Sequence, residues 1–337
     1  MRKERVLVLM HPDLLPPDSR EGFSEQQQDE WKTEFDVVTT LRGLGHEVQP
    51  LGVQDELRPV REAIETWHPT IVFNLLEEFH RNVLYDQNVV SYLELLQVPY
   101  TGCNPRGLVI ARSKALCKKL LAYHRINVPE FSVFPLNRAV RRPRKLPFPL
   151  IVKSLTEHGS LGISQASIVD SDEKLEERVA FVHERVKTDA IAEQFIQGRE
   201  YYVSILGNER LLALPVWELV FENMPANAAL IATEKVKHDV AYQKRRGIFQ
   251  QVAQDLPNGM EARIIRTSKR IYRLLELDGY ARIDYRLSAD GTLYFLDANP
   301  NPEIAESEEF AMAAKHVGIT YPELLTRVIN LGIRRHA

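Results

Sequence analysis

The stretch that decides the fold is Tyr280-Ala-Arg-Ile-Asp-Tyr-Arg-Leu-Ser-Ala-Asp-Gly-Thr-Leu-Tyr-Phe-Leu-Asp-Ala-Asn299. Apolar and polar residues alternate on both sides of Ser288-Ala-Asp-Gly291, and an Asp-Gly pair between two such runs predicts a β-hairpin. A two-residue turn would place Arg282 opposite Asp297. A three-residue loop would flip one strand relative to the other, so the prediction depends on this register.

With the two-residue turn, four polar side chains of the hairpin project from one face of the sheet: Arg282, Asp284, Asp297 and Asn299. Neighbouring carboxylates repel unless a cation or a proton lies between them, and hard oxygen ligands suit Mg²⁺ or Mn²⁺. A hairpin with cross-strand salt bridges is the alternative. The rigid Pro300-Asn-Pro302 turn that follows favours a metal site with the two aspartates and the asparagine as ligands.

Length and composition exclude several classes of protein. The 337 residues, 44% hydrophobic and 26% charged, suffice for two or three lobes, since a single core stops growing near roughly 250 residues. A net charge of −3 argues against a nucleic-acid partner, and no run approaches the roughly 18 apolar residues of a membrane-spanning helix. Cys103 and Cys117 cannot form a disulfide framework. We therefore expect a soluble, cytoplasmic protein without membrane partners.

The N-terminal third has the pattern of a small parallel sheet. Val6–Met10 and Ile71–Leu75 are short, apolar and β-branched, as strands buried on both faces are. Helical patterns cover Glu30–Leu44 and Val60–Trp67 between them. Residues 11–29, rich in proline and then in Glu and Gln, are predicted to form a surface loop.

A second chemical feature lies in the middle of the chain. Pro149–Lys153 reads as a buried strand ending in a lysine, and a glycine-bearing turn with hydroxyl side chains follows at Ser154–Gly162. Glycines let the backbone approach an anion closely, so this turn is a candidate phosphate cradle. It matches neither of the common phosphate-binding fingerprints, and a plain hairpin turn stays open as the alternative.

Taken in chain order, seven fragments resemble the ATP-grasp superfamily, and specifically its D-alanine–D-alanine ligase-like branch. They span nearly the whole chain: Phe73–Glu77, Pro99–Gly102, Ser113-Lys114, Pro149–Lys153 with the Gly159/Gly162 loop, Ala192–Ile196 with Gly198 and Glu200, Arg282–Asp284, and Asp297–Asn299. The resemblance implies an α/β plus α+β fold, in which an N-terminal parallel-sheet domain precedes two lobes that clamp ATP. The expected limits are 1–105, 106–189 and 190–337.

The resemblance also implies roles for individual residues of a nucleotide site. Lys114 and Lys153 match the lysines of the nucleotide phosphates, and Ser160 lies in the adjoining glycine loop. Lys237, with Lys235 as the alternative, matches the lysine of the γ-phosphate.

Further positions match the nucleoside and the reacting group. Glu193, Phe195 and Ile196 belong to the segment that meets adenine, and Glu200 matches the acid that binds ribose. Arg282 matches the residue that steadies an acyl phosphate. The metal ligands implied by the resemblance are Asp284, Asp297 and Asn299.

This resemblance implies an ATP- and Mg²⁺-dependent ligase that joins a carboxylate to an amine through an acyl phosphate. Its substrates would be small amino-acid or peptide-like molecules, and the enzyme would be a homodimer. Water has to be excluded from the intermediate, so a mobile lid is expected around Lys237, and Gln243–Gly247 could belong to it. For Lys244–Arg246, simple solvation of a charged run is the preferred interpretation.

The sequence departs from the family where the substrates bind. The Gly-Gly-x-Ser-x-Glu signature of the D-alanine ligases is replaced by Met10-His-Pro-Asp-Leu-Leu-Pro16. The ATP half therefore looks intact and the acceptor half rebuilt, with Glu77, Glu303 and Ser307 as candidate substrate residues. A true D-alanine–D-alanine ligase and a non-catalytic nucleotide-binding regulatory protein are the alternatives, although a regulator has little reason to keep Arg282.

Overall fold

Three β-sheets and the helices packed on them make up the molecule. The computed structural model describes residues 3–157, 160–226 and 228–335. The strands are β1 Arg5–Met10, β2 Glu47–Gly52, β3 Ile71–Asn74, β4 Phe131–Phe134, β5 Leu150–Ser154, β6 Ile168–Val169, β7 Ala190–Gln194, β8 Gly198–Leu206, β9 Leu212–Ala213, β10 Trp217–Phe221, β11 Ile248–Val252, β12 Tyr280–Ser288 and β13 Leu293–Asn299. The α-helices are α1 Glu25–Glu30, α2 Lys32–Gly43, α3 Arg58–Trp67, α4 Asp86–Leu95, α5 Pro105–Arg112, α6 Lys114–Tyr123, α7 Asp172–Phe181, α8 Glu234–His238, α9 Val240–Arg246, α10 Met260–Leu274, α11 Glu309–His316 and α12 Tyr321–Arg335.

The N-terminal sheet is parallel, with strand order β2-β1-β3, as the sequence predicts. Its central strand is buried from Val6 to Met10, which explains the continuous apolar run. The predicted loop at 11–29 is only partly a loop, because it contains most of helix α1. That helix begins at a capping box between Ser24 and Gln27, a start signal that the polar composition concealed.

The middle sheet is antiparallel, with strand order β4-β7-β5-β6. Its strand Ala190–Gln194 pairs along its whole length with Leu150–Ser154. The predicted boundary at residue 189 assigned this strand to the C-terminal lobe, and its pairing places it in the middle sheet instead. The other limits of the three lobes remain a prediction.

The largest sheet has the strand order β11-β10-β8-β12-β13, with β9 added on β8, and all of these pairings are antiparallel. Helix α10 covers it through a buried face that includes Ile264, Ile271 and Tyr272. The last helix, α12, returns to the N-terminal sheet, where Leu324 and Val328 share an apolar cluster with Val8. No helix in the described part of the chain is long and apolar enough to cross a membrane.

The turn of the β12–β13 hairpin differs from the predicted one. The Ser288 N–H donates to the Thr292 carbonyl at 3.0 Å, and the Gly291 N–H donates to the Ser288 carbonyl at 3.0 Å. Three residues therefore form the loop rather than two, and the predicted pairing of Arg282 with Asp297 is wrong. On its own, this loop would turn one strand over.

A β-bulge at Leu296 compensates for the longer loop. Beyond this extra residue, Asp284 pairs with Asp297, and Arg282 pairs with Asn299. The loop adds one residue and the bulge adds another. Because side chains alternate between the two faces of a sheet with a period of two, the two additions together return each side chain to its predicted face. The four polar residues consequently share a face, as predicted. The partner of each residue lies two positions further along β13 than predicted.

Candidate active site

A cleft of about 370 Å³ lies between the middle sheet and the β12–β13 hairpin. It is lined by every predicted site residue except Ser307, which is exposed in the turn before α11 and does not line this cleft. The predicted residues that line it are Glu77, Lys114, Lys153, Ser160, Glu193, Phe195, Ile196, Glu200, Lys237, Arg282, Asp284, Asp297, Asn299 and Glu303. Gly159, part of the predicted phosphate loop, lies outside the described residues.

One wall of the cleft is the polar face of the hairpin. Arg282 donates to both carboxylate oxygens of Asp284, with Nε–Oδ1 and Nη2–Oδ2 distances of 2.8 and 3.0 Å. Glu309, from the first turn of α11, approaches the same guanidinium at 3.3 Å. Burial raises the pKa of Glu309 to about 7, although Arg282 opposes that rise. Glu309 was not among the predicted site residues, because acids in a run at a helix start are ordinarily solvated.

The same wall presents the oxygens of Asp297 and Asn299. Asp297 Oδ1 accepts the Ala298 N–H at 3.0 Å, and Asn299 Oδ1 accepts the Asn301 N–H at 2.9 Å. These bonds hold each side chain close to its own backbone. With Asp284 on the paired strand, the donors are two carboxylates and one carboxamide, which fit a Mg²⁺ ion completed by phosphate and water oxygens.

The opposite wall is built from lysines around a buried glutamate. Glu193 forms ion pairs with Lys153 at 2.8 Å and with Lys118 at 3.2 Å. Burial would raise the pKa of Glu193, but the two lysines outweigh it and the pKa is lowered. Lys114 also lines the cleft, and its pKa falls to about 8 because it is buried, although Asp297 opposes that fall.

The ion pairs show what the Glu193 carboxylate contacts, namely the two lysines, while Phe195 and Ile196 of the same segment line the cleft. The role of this segment at adenine stays a prediction. Lys118 was not singled out at all. It is fully buried and also donates to the carbonyl of Leu296, the bulge residue, so it links the middle sheet to the hairpin that carries the acidic wall.

The predicted ribose acid is held in place by two residues that the sequence did not single out. The Tyr202 hydroxyl donates to Glu200 Oε1 at 2.8 Å, and Arg286 forms a buried ion pair with Oε2. Arg286 also lies 5.8 Å from the centre of the Phe195 ring. The acid is therefore oriented before any ligand arrives.

A short helical segment closes the cleft from the side. Lys237 on α8 lines the cleft and Lys235 does not, which favours Lys237 as the phosphate ligand. The loop after β5 is tied to this helix, since the Gly162 N–H donates to Glu234 Oε2 at 3.0 Å. This hydrogen bond joins the predicted phosphate loop to the predicted lid.

The part of the cleft around Glu77 and Glu303 is acidic. Glu303 lines the cleft but is paired with Lys32 at 3.4 Å, so its charge is partly compensated. Glu34, on α2, is only 5% exposed and was missed by sequence reasoning. Burial raises its pKa to about 7, and repulsion by Glu77 and Glu303 adds to the rise.

This raised pKa gives a stability prediction for Glu34→Gln. The carboxyl ionises near its ordinary value of 4.5 in the unfolded chain and near 7 in the folded one. Between those values the folded state holds the extra proton, so the wild type loses stability as the pH rises. We expect Glu34→Gln to match the wild type at pH 4.5 and to be about 2–3 kcal/mol more stable at pH 8.

Urea denaturation at the two pH values measures this difference. Glu176→Gln is the matched control, because Glu176 lies exposed on α7 and should change stability at neither pH. If Glu34→Gln raised the free energy of unfolding by the same amount at both pH values, the stability difference could not come from ionisation of the buried carboxylate.

Comparison with known proteins agrees with this geometry. Residues 120–330 match the family model for the D-ala D-ala ligase C-terminus. The D-alanine–D-alanine ligase of Bordetella petrii is 31% identical over 253 residues, 73% of this chain and 71% of that protein. The D-alanine–D-alanine ligase of Aquifex aeolicus is 29% identical over 327 residues, 97% of this chain and all of that protein.

A solved structure shares the fold. The D-alanine–D-alanine ligase of Bacillus anthracis complexed with ATP superimposes with a TM-score of 0.76 at 23% identity, covering 99% of this chain and 98% of that one. The predicted ATP-grasp fold, with its parallel N-terminal sheet and two further sheets around a cleft, is confirmed. The chain belongs to the D-alanine–D-alanine ligase-like family of the ATP-grasp superfamily.

Proposed function

We propose that this chain joins the carboxylate of one amino-acid or peptide-like substrate to the amine of another, using ATP and Mg²⁺ and passing through an acyl phosphate. Membership in a family of ATP-dependent carboxylate–amine ligases supports the reaction type. The observation that carries the proposal is that one cleft holds an acidic wall, with Asp284, Asp297 and Asn299, and a lysine wall, with Lys114 and Lys153.

The nucleotide would lie between the two walls. Lys114, Lys153 and the loop with Ser160 would bind its phosphates, while Phe195 and Ile196 would face adenine. Glu200, oriented by Tyr202 and Arg286, would bind the ribose. These roles are the ones that the resemblance implies, and the fact that all of these side chains line one cleft supports them.

The hairpin oxygens would hold the metal against the terminal phosphates. When bound, Mg²⁺ neutralises charge that develops on the transferred phosphoryl group. Lys237 would bind the γ-phosphate from the lid side. Because phosphoryl transfer depends chiefly on positioning and electrostatics, rigid walls of opposite charge suit it.

Arg282 would act on the second half of the reaction. Its guanidinium is fixed by Asp284 and Glu309, so it is preorganised to stabilise the oxyanion formed when an amine adds to the acyl phosphate. The lid formed by α8 and α9 would keep water from hydrolysing that intermediate.

The acceptor side distinguishes this chain from the D-alanine ligases. Glu303 and the acids near it lie where the resemblance places the second substrate, and the first strand is followed by His11-Pro-Asp13 instead of the family signature. A D-alanine–D-alanine ligase is the second candidate, favoured by the names of the relatives. We further propose a cytoplasmic homodimer, where Cys103 and Cys117 stay reduced.

Trapping with hydroxylamine tests the activation step without knowledge of the acceptor. Hydroxylamine converts an acyl phosphate to a hydroxamate, so purified protein is incubated with ATP, Mg²⁺ and single acids from a panel of L- and D-amino acids and dipeptides. We expect hydroxamate and ADP with one class of acid. No ATP-dependent hydroxamate from any acid would contradict a ligase and favour a regulatory nucleotide-binding protein.

The same panel without hydroxylamine separates the two ligase candidates. We expect phosphate release to require two different substrates. Efficient formation of a D-alanine dipeptide from D-alanine alone would establish the second candidate instead.

A further inference from the structure

A second cavity, of about 510 Å³, opens beside the nucleotide cleft. Four residues line both spaces, namely Glu77, Val83, Asn301 and Glu303, so the two are continuous. The shared rim lies next to the hairpin residues that would hold the terminal phosphates. A molecule in the second cavity could therefore reach an acyl phosphate formed in the first.

The lining of this second cavity has an unusual charge. Seven of its lining residues are Asp or Glu, and the described lining includes neither lysine nor arginine. Lys32, just outside, compensates two of them, Asp29 and Glu303, at 3.0 and 3.4 Å. His11 lies 4.0 Å from Glu78. The remaining acids keep a net negative potential in the cavity.

Glu34 is the strongest single indication of a ligand. It lines the cavity and is 5% exposed. Among the described residues, its own backbone N–H is the one hydrogen-bond donor to its carboxylate, which forms no ion pair with any of them. Burying an unpaired carboxylate is costly, and proteins normally supply a partner. The partner that this carboxylate lacks in the chain is one that a cationic ligand would bring.

The acids do not converge on one point. In the described residues, no group of three Asp, Glu, His or Cys side chains is placed to hold a metal ion. A single compact cation would thus leave most of the carboxylates uncompensated. Positive charge distributed along an organic chain matches the spread of Glu34, Glu77 and Glu78 better.

We propose that the second cavity binds the acceptor substrate and that this acceptor carries at least two amino groups, as in a diamine or an amino acid with a basic side chain. One ammonium group pairs with Glu34 inside the cavity, and the other amine lies at the rim beside Glu77. This assignment rests on the proposed ligase function and specifies its acceptor.

The two amino groups differ in protonation state and therefore in role. An ammonium surrounded by carboxylates stays protonated and cannot attack, so it serves as the anchor. The rim amine, once neutral, attacks the acyl carbon; the C–N bond forms, the bond to the phosphate oxygen breaks, and phosphate leaves with the electron pair. The proton lost from nitrogen passes to a carboxylate at the rim.

Glu77 suits that last role. Glu77 lines both cavities, and the protein around it desolvates the carboxylate and raises its pKa to about 7, with Arg112 opposing the rise. A carboxylate with such a pKa accepts a proton more readily than a solvated one. The Arg112 guanidinium also fixes the loop, since it donates to the Glu77 carbonyl at 3.2 Å.

Matched pairs of probes test the proposal by calorimetric titration of the whole protein. Cadaverine is compared with pentylamine, and L-lysine with L-norleucine, so that each pair differs in the second amino group. In at least one of the two pairs, we expect the probe with two amino groups to bind at least tenfold more tightly than the probe with one. Glu34→Gln should abolish this preference, whereas Glu176→Gln, on the exposed face of α7, should retain it.

Two results would overturn the proposal: equal binding within both pairs, or a preference that survives Glu34→Gln. The unfolding curve of Glu34→Gln confirms that the variant is folded. Hydroxylamine trapping separates this outcome from failure of the ligase assignment. Hydroxamate without a diamine preference removes only the acceptor proposal; a Glu34-dependent preference without hydroxamate keeps the cation site and removes the ligase.

Discussion

Asp297→Asn is expected to lower kcat on the order of 10³-fold while leaving the fold intact. The substitution keeps the shape of the side chain and removes one of the two carboxylates that would hold Mg²⁺. A bound metal contributes several kcal/mol of charge stabilisation in phosphoryl transfer, and each 1.4 kcal/mol is tenfold in rate. Hydroxamate formation from ATP and the best acid of the panel measures the loss.

Asp170→Asn is the matched control for this change. Asp170 is exposed just before α7 and forms an ion pair with Lys174, so its replacement should leave kcat unchanged. Asp297→Asn with a kcat within threefold of the wild type would contradict a catalytic metal at the hairpin. A fall in kcat accompanied by loss of the unfolding transition would assign the effect to misfolding instead.

Arg282→Lys is expected to lower kcat on the order of 10²-fold with little change in the KM for ATP. Lysine keeps the positive charge but lacks the planar fork that contacts both oxygens of Asp284. Loss of one preorganised donor at an oxyanion typically costs 10²- to 10³-fold in rate. Steady-state kinetics with varied ATP separates kcat from KM.

Whether the substitution changes kcat or the KM for ATP distinguishes between two roles of Arg282. An unchanged kcat with a raised KM for ATP would show that the guanidinium binds nucleotide and does not act in the transition state. Arg142→Lys provides the control, because Arg142 makes a comparable contact to Asp172 on the surface, at 2.7 Å, far from the cleft.

The hairpin shows why sequence reasoning reached the site despite a wrong register. Alternation of side chains predicted that Arg282, Asp284, Asp297 and Asn299 share one face. This prediction depends only on whether the number of residues between the two strands is odd or even. The bulge at Leu296 could not be read from the sequence, because it is held from outside the hairpin. Its carbonyl accepts a hydrogen bond from a lysine on α6, more than 170 residues earlier.

The residues that were missed share a physical cause. Lys118, Glu309 and Glu34 are charged groups whose importance comes from burial, and burial of a charge has no local sequence signature. Each lies on a helix with ordinary helical composition. Glu193 was singled out from its position in the chain, but its ion pairs could not be predicted, because the two lysines come from other segments.

The metal dependence of nucleotide binding tests the central claim most directly. A non-hydrolysable ATP analogue is titrated calorimetrically into wild type and Asp297→Asn, with Mg²⁺ and with EDTA. We expect Mg²⁺ to tighten binding to the wild type by at least about tenfold, which is 1.4 kcal/mol, and to have almost no effect on the variant. A full Mg²⁺ effect in Asp297→Asn would contradict a metal site at the hairpin.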